Sequence, residues 1–357
     1  MVVTFIDPNA GDAGAQEEVF DSWRPPRRRR WLGWALLGGV ALLLSGVLAV
    51  ERGGGHPTPS PSIGRTGSAE VPRLLRWPVL ADAPAVVVDG TAVTISGDSL
   101  VWINLATSGV ATARLGVTLS RYPTTLVADP PRHRVWLVRL ASGVMTAIAY
   151  GSRDTEPLFE VGMRADADAA AVLDGGLYVS TDGGMRLVST GSRGLTIRPV
   201  DLPFAISLAA DPPRHRLLLV GRRVSAWRAD RVTRVATAPD PFDWGQLAVV
   251  AGRIWAVGVT NHGAVLAQLD PQTLRPVRHS PLESRLGPGA VLAATGRHDL
   301  LVRTGAGSDA LWCIDARSGA IVRAWAHVAG AAVLAPDGVY AISYASDPRK
   351  LAGGRCG

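Results

Sequence analysis

One stretch of the chain occurs twice, and the distance between its copies limits what the rest can fold into. Residues 126–139 read LVADPPRHRVWLVR and residues 208–222 read LAADPPRHRLLLVGR. In each, an apolar run meets an Asp-Pro-Pro turn with a basic tip, and a second apolar run leaves it. Proline fixes φ and has no N–H for a ladder, so each copy reads as two strands joined by a tight turn. Asp129 and Asp211 are 82 residues apart. Halfway between them, residues 172–180 (VLDGGLYVS) repeat the pattern with Asp-Gly-Gly in place of the prolines. The period is therefore about 41 residues rather than twice that.

From about Arg73 the pattern is uniform: short apolar runs separated by turn residues, with no amphipathic helical period. The strand after the turn sets the phase. Seven such strands are read, at residues 91–96, 134–139, 177–181, 216–220, 253–257, 300–303 and 339–343. With Thr94, Trp136, Tyr178, Leu218, Trp255, Leu301 and Tyr340 as equivalents, the steps are 42, 42, 40, 37, 46 and 39 residues. Third and fourth strands follow in residues 100–115 (LVWINLATSGVATARL), 266–277 (LAQLDPQTLRPV) and 311–325 (LWCIDARSGAIVRAW). Seven near-equal units of four strands predict an all-β, seven-bladed β-propeller over residues 73–357. Trp102, Trp136, Trp255 and Trp312 are expected to fill the wedges between blades.

The segment Ile314-Asp315-Ala316-Arg317-Ser318-Gly319 carries a resemblance. The units resemble the repeats of quinoprotein-like (PQQ-like) and YVTN-like β-propellers, whose third strand, turn and fourth strand run aliphatic-Asp-x-x-Thr/Ser-Gly-x-x-aliphatic. The resemblance covers nearly all of residues 73–357 and implies a fold rather than a chemistry. Quinone-binding members carry adjacent cysteines and calcium-binding carboxylates with no counterpart in this sequence, so no cofactor is implied.

Ahead of the repeats lies a different composition. Residues 1–30 lack apolar periodicity and read as a disordered cytoplasmic tail. Arg27 to Arg30 precede WLGWALLGGVALLLSGVLAV at 31–50, 20 residues without a charge. At 1.5 Å per residue that run spans roughly 30 Å, the thickness of a bilayer's hydrocarbon core. Trp31 and Trp34 stand where interfacial anchors belong, and the arginines put the N-terminus in the cytoplasm. The run predicts a single transmembrane helix; a cleaved signal peptide ending near Val47-Leu48-Ala49 is the alternative. Residues 51–72, rich in Gly, Pro, Ser and Thr, read as a flexible linker with a typical span of about 25 Å. Either way the propeller is expected outside the cytoplasm.

Composition excludes several classes. The net charge of +7 is almost wholly arginine, since Lys350 is the only lysine. Beyond Arg27 to Arg30 the arginines are dispersed, the mark of a solvated surface rather than a nucleic-acid groove. Two cysteines far apart exclude a disulfide-dense scaffold and CxxC zinc sites.

The local motifs that suggest chemistry each have a structural reading. Gly97-Asp98-Ser99-Leu100 spells the GDSL esterase tetrapeptide, but no DxxH accompanies it and it falls between two strands, so a turn is expected. His133 and His215 occupy equivalent positions on hairpin tips expected at the rim, in blades two apart, too far to share a metal. Asp166-Ala167-Asp168 lacks the third ligand, glycine and distal glutamate of a calcium loop and reads as a polar link between blades two and three. No catalytic, cofactor-binding or metal-ligating residue is assigned. The chain is expected to be a membrane-anchored extracytoplasmic binding or scaffolding module for an envelope protein or glycan, and not an enzyme. The alternative is a propeller enzyme acting on an envelope carbohydrate or lactone.

Two expectations concern ring closure. The seventh unit has residues for three strands, the third at about 350–356, and residues 73–80 (RLLRWPVL) are apolar enough to supply its fourth. Cys313, on the third strand of blade six, and Cys356, at the end of the third strand of blade seven, are neighbours that a disulfide can join. A buried Cys313 with a free terminal Cys356 is the alternative.

Overall fold

In the computed structural model, the described residues are 83–115, 124–141, 143–191, 194–238, 244–260, 263–281, 291–293, 299–303, 311–325, 328, 330–342 and 349–353, with Phe5–Ile6. Among them the chain from Ala83 onward forms seven antiparallel sheets in strict sequence order. Blade 1 is built of Ala85–Val88, Thr91–Ser96, Ser99–Asn104 and Val110–Arg114, each paired with the next. Blades 2 to 6 repeat this order, and blade 7 has three strands, Ala331–Ala335, Gly338–Ile342 and Arg349–Gly353. First strands of neighbouring blades touch around the axis, which makes the fourth strands the rim. This is a seven-bladed β-propeller.

The second strands fall where the sequence phase puts them, at Thr91–Ser96, Arg134–Ala141, Gly176–Thr181, Arg216–Val220, Arg253–Thr260, Asp299–Arg303 and Gly338–Ile342. They are continuous apolar runs because both faces of a blade are covered. In Arg216–Val220, Leu217 and Leu219 pack toward blade 3 while Leu218 and Val220 pack toward blade 5. A strand with two buried faces has no polar side to alternate with.

The core is correspondingly seven clusters, one in each seam between blades. Trp102 fills the seam between blades 1 and 2, Trp136 that between 2 and 3, and Trp255 with Trp312 that between 5 and 6. Trp136 and Trp255 are fully buried. Burying an indole of 150–250 Å² is worth about 4–6 kcal/mol at roughly 25 cal/mol per Å². The last seam joins Ala331, Val333 and Tyr340 of blade 7 to Ala92, Val101 and Ile103 of blade 1. The ring is closed there by packing.

The third-to-fourth turns explain the Asp-x-x-Ser/Thr pattern. The Oδ1 atom of Asp315 accepts the N–H groups of Arg317 and Ser318, and that of Asp270 accepts those of Gln272 and Thr273. Asn104 does the same for Ala106 and Thr107. The chain then turns through a left-handed residue, Ser108 at φ 56°, Leu274 at 57° or Gly319 at 70°. Only short Asx and hydroxyl side chains satisfy such turns locally.

By contacts the chain divides into one unit of Met1–Pro8 with Val71–Gly357 and another of Asn9–Glu70. Within the first, Phe5–Ile6 adds a parallel ladder to the outer strand of blade 2, Phe5 opposite Gly162 and Ile6 opposite Met163. Among the described residues no helix is long and apolar enough to cross a membrane. The expected helix at 31–50, the linker at 51–72, the rest of the tail, the strand at 73–80 and Cys356 lie outside the described residues.

Candidate functional site

The innermost strands enclose an axial cavity of about 620 Å³, reached by residues of all seven blades. Its size is that of a small-molecule site. Backbone periodicity decides its lining: the first strands are short Ala/Val/Ser/Thr-rich runs, as in Thr124–Asp129 (TTLVAD) and Ser207–Asp211 (SLAAD). Small residues are needed where seven strands converge. Among the described lining residues the ionisable side chains are Asp168 and Arg303. Arg303 is 7% exposed and its guanidinium donates to the carbonyls of Val328 and Gly330, which ties blade 6 to blade 7. Ile206, at 46% exposure, is an apolar side chain left open beside the cavity.

The paired Asp-Pro-Pro-Arg-His stretches are where polar chemistry concentrates. Each folds as a first strand, one 3-10 turn over Pro130–Arg132 or Pro212–Arg214, and a histidine in the left-handed region, His133 at φ 51° and His215 at φ 48°. These tips join the first strand to the second, so they stand at one end of the disc near its inner strands. The expected rim position is corrected: the motif spans the inner hairpin of its blade, not the outer one.

Each tip clasps both neighbours. Backward, His133 Nδ1 lies 2.9 Å from Asp89 of blade 1, and His215 Nδ1 lies 3.2 Å from Asp174 of blade 3. Inward, Asp129 and Asp211 accept from Arg134 and Arg216 at 2.7 and 2.8 Å, all four side chains buried. Forward, Arg134 reaches the Gly175 carbonyl and Thr190 of blade 3, and Arg216 reaches the Pro271 carbonyl of blade 5 at 2.6 Å. Arg253 repeats the forward reach from blade 5, donating to the Arg317 carbonyl at 2.7 Å. Beyond these forward partners, the copies differ at the tip arginine. Arg214 donates to both oxygens of Asp211 at 3.2 Å, whereas Arg132 lies against Gly175 and leaves Asp129 Oδ1 without a hydrogen bond.

The electrostatics are those of structural turns. The Ser152 hydroxyl, 2.7 Å away, and then His133 hold the Asp89 carboxyl below the ordinary carboxylate range. Backbone and hydroxyl donors do so for Asp270 and Asp315, and Lys350 with Tyr340 for Asp337. Burial pushes the Tyr150 hydroxyl up to about 12; its ring meets Trp102 edge-on at 5.3 Å.

Residues singled out in the sequence take these places. Gly97-Asp98-Ser99 is the tip of the hairpin between the second and third strands of blade 1, with Gly97 at φ 61°. Ser99 Oγ donates to Asp98 Oδ1 at 2.9 Å, and Asp98 pairs with Arg114. The tetrapeptide is a turn. Asp166 links blades 2 and 3, bonded through its backbone to Asp182. His133 and His215 face separate aspartates, and the structure does not bring them together. Among the described residues no three His, Cys, Asp or Glu side chains are placed to hold a metal. The clasp arginines were missed by the sequence reading. Their only signal was the Asp-x-x-x-x-Arg spacing common to both repeats.

The chain is similar in structure to solved propellers. It matches the β-propeller domain of Cps50 (Swd1) from Myceliophteria thermophila with a TM-score of 0.58 and 12% identity, over 77% of this chain and 96% of that one. A chain of the mitotic checkpoint complex matches with a TM-score of 0.55 and 13% identity, over 83% and 96%. At these identities the likeness is one of fold. No protein-family model and no curated protein matches the chain.

Proposed function

We propose that the protein is a membrane-anchored, extracytoplasmic binding or scaffolding module whose ligand, an envelope protein or glycan, is met by the disc. The observation that supports the binding reading most is the lining of the axial cavity. General acid–base or nucleophilic catalysis needs several ionisable groups converging within hydrogen-bond reach. The described lining instead presents alanine, valine, leucine and hydroxyl side chains around one aspartate and one already bonded arginine.

The anchoring rests on residues 31–50. A crossing there would put residues 1–30 on the opposite side of the bilayer from the disc, so it excludes the ladder between Phe5–Ile6 and blade 2. Magnitudes favour the crossing. Two ladder residues contribute about 1–3 kcal/mol at roughly 1 kcal/mol per hydrogen bond. The seven leucines and three valines of the apolar run contribute about 3–6 kcal/mol at roughly 0.3–0.6 each.

The test pairs two measurements on the purified full chain. Envelope glycans and peptides are screened for ligands that raise Tm, and the same preparation is assayed against glycan and lactone substrates. A ligand whose effect disappears in Ala170→Phe, which fills the cavity from blade 3, is the expected result. Turnover of any substrate would overturn the binding reading in favour of a propeller hydrolase.

A further inference from the structure

The fourth strand of a blade is a sheet edge, and most edges of this ring are blunted against a further strand. An edge shows a row of N–H and C=O groups, which proteins protect by shortening it or by placing proline or charge on it. Val110–Arg114, Thr233–Thr237 and Ile321–Trp325 are five residues long, the last two with an arginine inside. Pro276–Pro281 carries proline at both ends, and Gly194–Val200 has Pro199 within it. Pro157–Arg164 of blade 2 differs from all of these. It is eight residues long, its proline is the first of them, and its one inner charge, Glu160, precedes the apolar stretch Val161-Gly162-Met163. All three residues of that stretch are buried, as only Val200 is in the other outer strands among the described residues.

A strand lies on this edge. Phe5–Ile6 runs parallel to Pro157–Arg164, with Phe5 opposite Gly162 and Ile6 opposite Met163. The register defines what fits there. Opposite Gly162, an aromatic residue covers the space that a missing side chain leaves. Opposite Met163 comes an aliphatic residue, on the face where Val161 and Met163 pack into the seam with blade 3. One position further stands Arg164, exposed and, among the described residues, without a carboxylate partner. Its complement is an acidic residue. Residues 2–7 (VVTFID) have this order, and β-branched and aromatic residues suit a strand.

We infer that the rim of blade 2 is a strand-addition site, where Pro157–Arg164 pairs in parallel with an extended segment of a partner envelope protein ordered aromatic, aliphatic, acidic. The inference rests on the anchoring reading above. A crossing at residues 31–50 keeps residues 1–30 on the far side of the bilayer, so Phe5–Ile6 does not hold the edge and a strand from outside takes its place. Backbone hydrogen bonds supply the affinity, and the three side-chain positions select the partner. The site stands at the rim and leaves the axial cavity open.

The probe is the acetylated, amidated peptide VVTFID, added to the full chain in phosphatidylcholine nanodiscs. Hydrogen–deuterium exchange is followed in the outer strands, and affinity is measured by fluorescence anisotropy. Expected is slowed exchange in Pro157–Arg164 and in no other outer strand. Alternate N–H groups of an added strand face its neighbour. Methylating the backbone nitrogen of the probe's Phe or of its Ile should therefore weaken binding about fivefold at one of the two and hardly at the other. Arg164→Glu should weaken binding by about the same factor, and a probe ending in Lys instead of Asp should recover it. Phe5→Asp with Ile6→Asp in the full chain separates the two readings. Faster exchange of Pro157–Arg164 in that variant means that the chain's own tail holds the edge, which overturns the crossing and partner addition together. Equal exchange with no protection by the probe overturns strand addition and leaves the anchor standing. Protection that grows with protein concentration alone gives the edge to a second copy and also overturns the partner.

Discussion

Arg216 Nε donates to Asp211 Oδ2 at 2.8 Å, and the same guanidinium reaches through blade 4 to the Pro271 carbonyl of blade 5. One buried residue therefore serves its own hairpin and its neighbour's. Removing it leaves Asp211 almost wholly enclosed with Arg214, at 3.2 Å, as its remaining charged partner, so the cost approaches but does not exceed the figure of about 3–5 kcal/mol for a buried charge with none. Arg216→Met should lower stability by up to that amount, read as the urea midpoint at constant m. The double change Asp211→Leu with Arg216→Met should restore part of the loss, because no charge is then stranded. If the double variant is as unstable as the sum of the singles, the pair is not acting as a unit.

Acid sensitivity should reside in the turns. Asp89, Asp270, Asp315 and Asp337 all titrate below the ordinary 3.8 in the fold. A carboxyl depressed by folding contributes its full stabilisation above the unfolded value and loses it as pH falls through the folded one. Tm should therefore be level above about pH 5 and decline below pH 4. Asn at 270 and 315 keeps the amide oxygen that accepts the turn's N–H groups. Asp270→Asn with Asp315→Asn should flatten the acid limb and bring Tm at pH 7 modestly down toward its acid value, because the amide keeps the acceptor but not the charge, and an unchanged limb would assign the sensitivity elsewhere.

Cys313 is fully buried on the third strand of blade 6 and is disulfide-bonded. With two cysteines in the chain, Cys356 is the partner we propose. Thiol titration of the unfolded, unreduced protein should then find none, and two free thiols would falsify the pairing. The bond closes a loop of about 43 residues, for which chain entropy predicts about 4 kcal/mol. Cys356→Ser should cost up to that much.

Among the described residues blade 7 has three strands, and the place of its fourth makes a prediction about truncation. Connections from a fourth strand to the next blade's first strand are short, from Arg164 to Ala167 between blades 2 and 3 and from Val200 to Ser207 between blades 3 and 4. A strand ending at Leu80 would reach Ala85 in a comparable step and cover the edge of Arg349–Gly353. A chain beginning at residue 73 behind a cleavable signal should be secreted soluble and folded. One beginning at 83 should be far more sensitive to protease at blade 7. Equal resistance of the two would place the fourth strand of that blade somewhere other than residues 73–80.

The repeat and its phase were legible because a propeller is quasi-periodic. Each blade must bury both faces, so every second strand from Thr91–Ser96 to Gly338–Ile342 reads as an apolar run closed by turn residues. The tryptophans could be assigned to seams for the same reason, since 0–8% exposure at Trp102, Trp136, Trp255 and Trp312 follows from size and strand position. Local rules also decided the Asp-x-x-Ser/Thr turns and reduced Gly97-Asp98-Ser99-Leu100 to a hairpin tip. What joins one blade to another was not legible. His133 meets Asp89 across 44 residues, Arg134 meets Thr190 across 56, and Arg253 meets Arg317 across 64. Spacing of that length carries no local signal. Nor did Pro157–Arg164 announce itself as the edge that takes a strand: Phe5 and Gly162 are paired across 157 residues. Sequence alone determined the strands, because burial and turn chemistry act within a few residues. The cavity, the clasps and the strand on the edge of blade 2 were decided by tertiary structure, because only the folded ring brings distant parts of the chain to one place.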